Sequence, residues 1–482
     1  MNALDLILSF RSDLVRHFSR NDQFYLYDYI YWVLVSGVFE YPQLKNDAEL
    51  IRYLNSKSAH HLTNLELAIW GAREDLRSAF SNESAVHLFR DWMAIHGVKE
   101  YDLEWTLSCR PSGSSASAIR NGVNVLGYFG APNGIGEDAR MFIECLASKR
   151  ISHSVINVGE EEFKGIECLT LDDPRGLKYA INVFCMPAVE HVRRYLECPE
   201  DLSGFYNIGY WPWEFSDWPA MWKDYFSLVD EIWVSTSYIY DAVAKNTEKP
   251  VFLMPMAVDV GNAQPSKAAR DAFGIPTDAY VFFFSFDLNS SINRKNPHAV
   301  FDAFFAAFKV GCENVRLVIK TQRPKAASPD WEAFKVLCVA DSRIILIENT
   351  LNKTELHELY ASCDSFVSLH RCEGFGRNIA EAMLLGMHII TTSYSGNLDF
   401  CTGYDVDLVS YTLKEVKPGE YMYADGMVWA EPDVNEAARY MRAAYVERKR
   451  GWLYSSFERF SYEYVGRSYL TRLEKIWLDS CV

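Results

Sequence analysis

The sequence predicts an α/β protein: two Rossmann-like domains of parallel sheet, preceded by an all-helical N-terminal segment. Three observations carry this. Short apolar runs alternate with helical periodicity from residue 119 to about 258, and again from about 266 to 455, the pattern of βαβ units. One stretch, Ser365–Phe400, displays such a unit in full. Residues 1–115 instead show helical stripes and no strand alternation.

Within Ser365–Phe400, the run Phe366–Leu369 is short and rich in β-formers, so it reads as a buried strand. A turn with Gly374 and Gly376 follows. Ile379, Ala382, Met383 and Gly386 then recur at helical spacing, with Gly386 as the stop. Ile389–Thr392 is the next strand. In parallel sheets, ligands sit at the carboxyl ends of strands, beside helix N-termini. Glu373 stands in that turn, and Glu381 follows about two helical turns on. The glycines leave backbone N–H groups open to a phosphate, and carboxylates accept hydrogen bonds from ligand hydroxyls. The same pair, taken alone, suits a helix cap and a solvated surface glutamate.

The 482 residues are enough for roughly three domains. With 49% hydrophobic and 23% charged residues, the composition is that of an ordinary globular protein. A net charge of −16 disfavours a nucleic-acid partner, because phosphate backbones need basic patches. The 11 cysteines are scattered without Cys-x-x-Cys or Cys/His metal spacing, and Cys145, Cys185 and Cys338 read as packed thiols in a reducing cytosol. The N-terminus lacks a basic region before its apolar residues and reads as no signal peptide. Phe24–Phe39 is too short to span a bilayer and contains Asp28. Peripheral contact with a membrane surface and self-association stay open.

In chain order, Leu4, Ile7, Leu8, Leu14 and Phe18 give a helical stripe; Leu62, Leu65, Leu67, Ala68 and Trp70 give another; Phe89, Trp92 and Met93 a third. The Ser/Gly/Pro-rich run near Arg110 marks a linker. Val123–Tyr128 is an apolar strand leading into a glycine turn with Gly134 and Gly136, then a helix to Ser148. That turn has phosphate-cradle geometry but not the dinucleotide fingerprint, which argues against a dehydrogenase. Ile181–Met186 is a strand, followed by a helix opened by Pro187. Asn207–Trp222 is rich in aromatics beside Glu214 and Asp217. It reads either as a sugar-stacking wall or as a buried aromatic corner. Glu231–Ser235 and Val251–Met256 are strands around a helix, and Pro255–Pro265 is an interdomain linker. Tyr280–Phe286 reads as a strand buried on both faces. Arg294 and Lys295 then precede a helix opened by Pro297, a plausible diphosphate clamp or a solvated loop. Asp405 and Asp407 form an Asp-x-Asp read as chance, so no metal site is assigned.

The string SLHRCEGFGRNIAEAMLLG, followed by TTSYSGN, resembles the donor-sugar signature of retaining glycosyltransferases of the GT-B fold, family four. Two glutamates enclose seven residues there too. The likeness spans roughly residues 120–480 and is sharpest at Ser285–Pro297 and Ser368–Asn397. It implies an acceptor domain over 119–258 and a donor domain over 266–455, facing a cleft. Residues 456–482 would form a helix crossing back to the first of these.

The resemblance also implies roles. Glu373 and the amides of Gly374, Phe375 and Gly376 would hold the donor sugar, and Glu381 the ribose hydroxyls. Arg377 and Asn378 belong to the same donor-binding string. Ser395, Gly396, Asn397, Gly134 and Gly136 would lie near the donor diphosphate. Lys295 and Arg294 would neutralise it. Many relatives separate these two bases, so Lys295 is the firmer assignment. Glu214 would serve the acceptor hydroxyl as base or hydrogen-bond partner. Relatives often carry a histidine near the reacting centre; His191 is the nearest candidate but sits in a helix pattern and reads as structural.

The implied activity is transfer of a hexose from a nucleotide diphosphate sugar to a hydroxyl, with retention and no cofactor. The implied acceptor is a glycan or lipid-linked glycan of bacterial surface polysaccharide or O-antigen-type synthesis. The implied place is the cytoplasm or the inner membrane face. A nucleotide-sugar epimerase of the same fold, a non-catalytic sugar-binding protein, and a partner-docking role for residues 1–115 stay open.

Overall fold

The computed structural model describes residues 3–18, 25–56, 62–80, 86–107, 121–159, 177–197, 205–288, 290–309, 311, 313–322, 329–451 and 458–479. The linker expected near Arg110 and the start of the last helix at Phe457 lie outside them. The chain forms two compact units. One comprises Met1–Gly127, Ser154–Gly209 and Ala220–Asp230; the other Tyr128–His153, Tyr210–Pro219 and Glu231–Val482.

There are two six-stranded parallel sheets. The strands of the first are β1 (Val123–Gly127), β2 (His153–Asn157), β3 (Ile181–Cys185), β4 (Tyr206–Tyr210), β5 (Glu231–Val234) and β6 (Val251–Leu253), in the order β2-β1-β3-β4-β5-β6. The second contains β7 (Tyr280–Asp287), β8 (Val315–Gln322), β9 (Ile344–Ile347), β10 (Ser365–Ser368), β11 (His388–Thr392) and β12 (Val406–Val409), in the order β12-β11-β10-β7-β8-β9. An antiparallel hairpin follows, β13 (Tyr411–Glu415) with β14 (Val428–Pro432). Strands β2 and β12 and the hairpin were not legible in the sequence; all three are short and none is a continuous apolar run.

In the first unit the helical segment is built from one module used twice. The helices Ala3–Phe10, Ser12–His17 and Tyr25–Trp32, with a π-turn at Val33–Gly37, are matched by Asn64–Ala72, Glu74–Ala79 and Val86–Trp92, with a π-turn at Met93–Gly97. Each copy is clamped by one arginine. Arg11 donates to both carboxylate oxygens of Asp13 (2.9 and 2.8 Å) and to Tyr41 Oη (2.9 Å), and pairs with Glu40. Arg73 does the same to Asp75 (2.8 and 2.7 Å), Glu100 (2.6 Å) and Tyr101 Oη (2.6 Å). The rings follow suit. Phe18–Tyr29 centroids are 5.4 Å apart at 52°, Phe80–Phe89 5.6 Å at 56°. Trp32 lies across Gly37, and Trp92 across Gly97. A Cβ at either glycine would come within 3.1 Å of the indole. Each arginine holds Asp13 or Asp75 down at a pKa of about 2. Elsewhere in this unit His191 is buried and stacks on Phe184 at 3.6 Å; burial pushes it down to about 3, so it is a neutral packing residue.

In the second unit, β7 fills both faces of its sheet. Tyr280, Phe282, Phe284 and Phe286 pack on one side with Val300, Phe304, Trp331 and Met441. Val281 and Phe283 pack on the other with Tyr360, Ile379 and Met383. This is why the strand is a continuous apolar run. The last helix, Tyr462–Asp479, lies against Gly134–Ser148: Ser148 Oγ donates to Tyr462 O (3.0 Å), and a Cβ on Gly466 would sit 2.5 Å from Cys145 O. Among the described residues no helix is long and apolar enough to cross a membrane.

If the two arginine clamps are equivalent, Arg11→Ala and Arg73→Ala should lower the thermal unfolding midpoint by similar amounts, and 1 M salt should shrink both effects. Thermal scans at two salt concentrations check this.

Candidate active site

The order of the second sheet places β7 and β10 side by side while their connections run to opposite edges. That is a topological switch point, where parallel sheets open a crevice at their carboxyl ends. The loops after these two strands carry the charged residues. They are tied together: Asn296 Nδ2 donates to Leu369 O (3.0 Å), Arg371 N to Arg294 O (2.9 Å), and Arg294 Nη1 to Cys372 O (3.0 Å). Asn296 takes a left-handed conformation (φ 54°), which ends the short helix Ile292–Lys295 and lets Pro297 open the next.

Four charges of alternating sign meet there. Arg294 Nη2 lies 3.0 Å from Glu214 Oε1, and its Nη1 lies 3.1 Å from Glu373 Oε2. Lys295 Nζ pairs with the other oxygen of Glu373. Burial by itself would raise the pKa of Glu373, but Lys295 and Arg294 hold it down at about 2. Glu214 is pushed upward by loss of water; Arg294 opposes this and the neighbouring Glu373 adds to it. Its second oxygen accepts a hydrogen bond from Tyr421 Oη. His370, behind Glu373, is pushed down to about 4 by burial and contributes no charge at neutral pH.

A cavity of about 380 Å³ opens on this cluster. Its lining includes Gly134, Asp138, Trp213, Glu214, Arg294, Lys295, Glu373, Gly374, Phe375, Gly376, Arg377 and Asn378. The helix Arg377–Leu384 points its N-terminus at it, entered through Gly376 in the left-handed region (φ 89°). Arg377 donates to Asp138 Oδ1 (3.0 Å from Nε) and to Ala257 O (3.1 Å). Asn378 Nδ2 donates to Ser285 O (2.9 Å), at the end of β7.

The remaining expected residues stand outside that lining. Ser395 Oγ accepts from Glu373 N (2.9 Å), and Gly396 N donates to Glu373 O (3.0 Å), so both hold the glutamate's backbone. Asn397 Nδ2 donates to Thr392 O (3.1 Å). Glu381 is buried, 3.9 Å from His357 Nε2. Gly136 is a packing glycine: a Cβ there would sit 2.2 Å from Ala131 O, and its N–H caps on Asn133 (2.9 Å). Gly374 is another, with Trp213 O 2.2 Å from its would-be Cβ.

The aromatic segment forms a buried corner. Trp211 stacks on Trp218 at 5.9 Å, and Trp213 packs on Phe215 at 5.7 Å; of these rings only Trp213 lines the cavity. Asp407 is taken up by His388 (3.0 Å) and Lys449 (3.5 Å). Sequence reasoning missed Asp138 and Tyr421. Asp138 stands just past Gly134 and Gly136 and was within reach of the motif. Tyr421 lies 207 residues from Glu214, and nothing local announces it.

Two outcomes follow from this geometry. Gly134 has open space where a Cβ would go, so Gly134→Ala should leave the melting temperature level or slightly raised. Gly136→Ala should cost about 1–3 kcal/mol through overpacking; parallel denaturation curves decide. For Glu373, the ionised carboxylate stabilises the fold fully above the unfolded value of roughly 4.3, and that stabilisation is lost as pH falls toward about 2. The melting-temperature gap between wild type and Lys295→Met should therefore be widest near neutrality and close across that acid range.

Residues 280–410 match the family Glycosyl transferases group 1. No curated protein matches the chain. Among solved structures, Anabaena Alr3699/HepE in complex with UDP and glucose aligns at a TM-score of 0.54 with 13% identity, covering 74% of this chain and 100% of that one. The same protein with UDP-glucose aligns at 0.52 with 14% identity, covering 73% and 99%. At these identities the likeness is one of fold. Residues 280–410 thus carry the match to group 1 glycosyl transferases, and the two six-stranded Rossmann-like sheets give the chain the GT-B-like fold of those structures.

Proposed function

We propose that this nucleotide-sugar-dependent glycosyltransferase seats its donor in the switch-point cavity and transfers a hexose, with retention, to a hydroxyl acceptor. The observation that carries the reading is the cluster itself: Lys295 and Arg294, both on Glu373, beside the open N-terminus of the helix Arg377–Leu384. Those cations and N–H groups suit a diphosphate. Glu373 suits sugar hydroxyls. About one turn beyond Asn378, Glu381 would accept from the ribose. The HepE crystals that share the fold hold UDP, glucose or UDP-glucose, which makes UDP-hexoses the first donors to try.

In the reaction, the acceptor oxygen bonds to the anomeric carbon on the face the diphosphate leaves. The bond from that carbon to the phosphate oxygen breaks, and its electron pair departs with the nucleotide. The hydroxyl proton passes to Glu214. Positive charge on the ring and negative charge on the diphosphate grow together, and Lys295 and Arg294 are already in place to meet the latter. We assign the acceptor to glycan or lipid-linked glycan of surface polysaccharide assembly, at the cytoplasm or the inner membrane face. This finer assignment rests on the likeness of the string Ser368–Asn397.

The test is a thermal-shift panel of UDP-glucose, UDP-galactose, UDP-N-acetylglucosamine and GDP-mannose. A donor at a hundred times its Kd should stabilise the protein by about 2.7 kcal/mol, and Lys295→Ala should abolish the shift. With that donor, Lys295→Ala should lower turnover about 10²–10³-fold. Nucleoside diphosphate should appear in proportion to glycosylated product, which an epimerase would not give. No shift with any donor, or normal turnover by the variant, would sink the reading.

A further inference from the structure

The hairpin β13–β14 begins where the family match stops, at residue 410. Its far end nevertheless reaches the charge cluster. We propose that this hairpin is part of the active site, and that Tyr421 is the positioning residue that keeps Glu214 ionised and aimed at the incoming hydroxyl. The inference rests on the donor-site reading above.

Glu214 has both carboxylate oxygens engaged. One faces Arg294 Nη2 at 3.0 Å; the other accepts from Tyr421 Oη. Two donors from different parts of the chain fix the plane of the carboxylate. A single donor would leave it free to turn about its last bond. The charged groups facing Glu214 are Arg294, Glu373 and Lys295, the second of which repels it. Burial and Glu373 both favour its protonated form, so the donated hydrogen bond from Tyr421 matters for keeping it a base.

The hairpin is bolted at both ends. At its far end Ser291 Oγ donates to Glu420 O (3.0 Å), and the Tyr421 ring meets Phe215 edge-on at 4.9 Å. At its root, Arg371 grips both oxygens of Glu431 (3.0 Å each), lies 5.2 Å over Trp429, and accepts from Ala430 N at its carbonyl (2.9 Å). Trp429 in turn stacks on Phe215 at 6.1 Å. Arg371 belongs to the loop that carries Glu373, and Phe215 follows Glu214. The hairpin thus braces both carboxylates at once.

The experiment uses the full chain, wild type against Tyr421→Phe, which keeps the ring on Phe215 and removes only the hydroxyl. Val339→Ala, exposed at the end of the helix Pro329–Val339, is the control and should change nothing. Binding of UDP, GDP and ADP is measured by calorimetry. Hydrolysis of UDP-glucose, UDP-N-acetylglucosamine and GDP-mannose, with water as acceptor, is followed by nucleotide release from pH 5 to 9. In hydrolysis the water oxygen bonds to the anomeric carbon, the nucleotide leaves with the electron pair, and the water proton goes to Glu214. For Tyr421→Phe we expect nucleotide Kd and donor KM within about twofold of wild type, kcat lowered about tenfold or more, and the acidic limb of the kcat profile moved to higher pH. Unchanged kcat and an unmoved limb, with normal nucleotide binding, would overturn the role of Tyr421 alone. Loss of nucleotide affinity matching the loss of kcat would overturn it too, making the tyrosine a prop of the donor site. A wild type that binds none of the three nucleotides would overturn the donor-site reading itself, and this inference with it.

Discussion

Arg294 is the residue on which the rest of the site depends. Its side chain is 4% exposed, and its guanidinium bridges Glu214 and Glu373. A buried cation is tolerated only with carboxylates and carbonyls around it, because its hydration has been lost. The converse also holds: two glutamates this close would repel each other without the guanidinium between them. The network therefore ties the loops after β7 and β10 into a single piece. Such a network stabilises little by itself, but taking away one partner leaves an uncompensated charge, commonly at 3–5 kcal/mol.

The backbone is drawn tight around those charges. Gly374 passes so close to Trp213 O that no side chain fits, and its carbonyl accepts from Thr236 Oγ1 at 2.8 Å. Gly396 runs against Gly374 in turn, 1.8 Å from a would-be Cβ to the carbonyl oxygen. These close approaches bring three loops against one another, and the buried aromatic corner of Trp211, Trp213, Phe215 and Trp218 backs them. Preorganisation of this kind lets fixed charges act on a developing transition state without reorganising.

The duplicated helical module uses the same device on a smaller scale. In each copy one arginine spans an aspartate, a glutamate and a tyrosine, and joins two helices across 30 residues in the first copy and 28 in the second. The repeat escapes a reading tuned to apolar stripes because the shared positions are few and the spacing shifts between copies. It becomes visible only when the contacts of Arg11 and Arg73 are laid side by side.

The sequence by itself determined the βαβ architecture, the position of Glu373 in the turn before one helix and of Glu381 within that helix, and the basic pair before Pro297. Strand and helix periods, glycine turns and loop positions are local properties, and they are written in consecutive residues. Tertiary structure alone decided the partners. Glu214 and Arg294 are 80 positions apart and share a salt bridge; Tyr421 completes Glu214 from a hairpin that no local period announces. It also separated glycines of like appearance: Gly134 has open space, whereas Gly136 is packed against a carbonyl. Of the two readings of the aromatic segment, it chose the buried corner over the sugar-stacking wall. The reason is physical. Burial, pairing of charges and close approach of backbones are pairwise properties of segments brought together by packing, and no window along the chain contains both members of the pair.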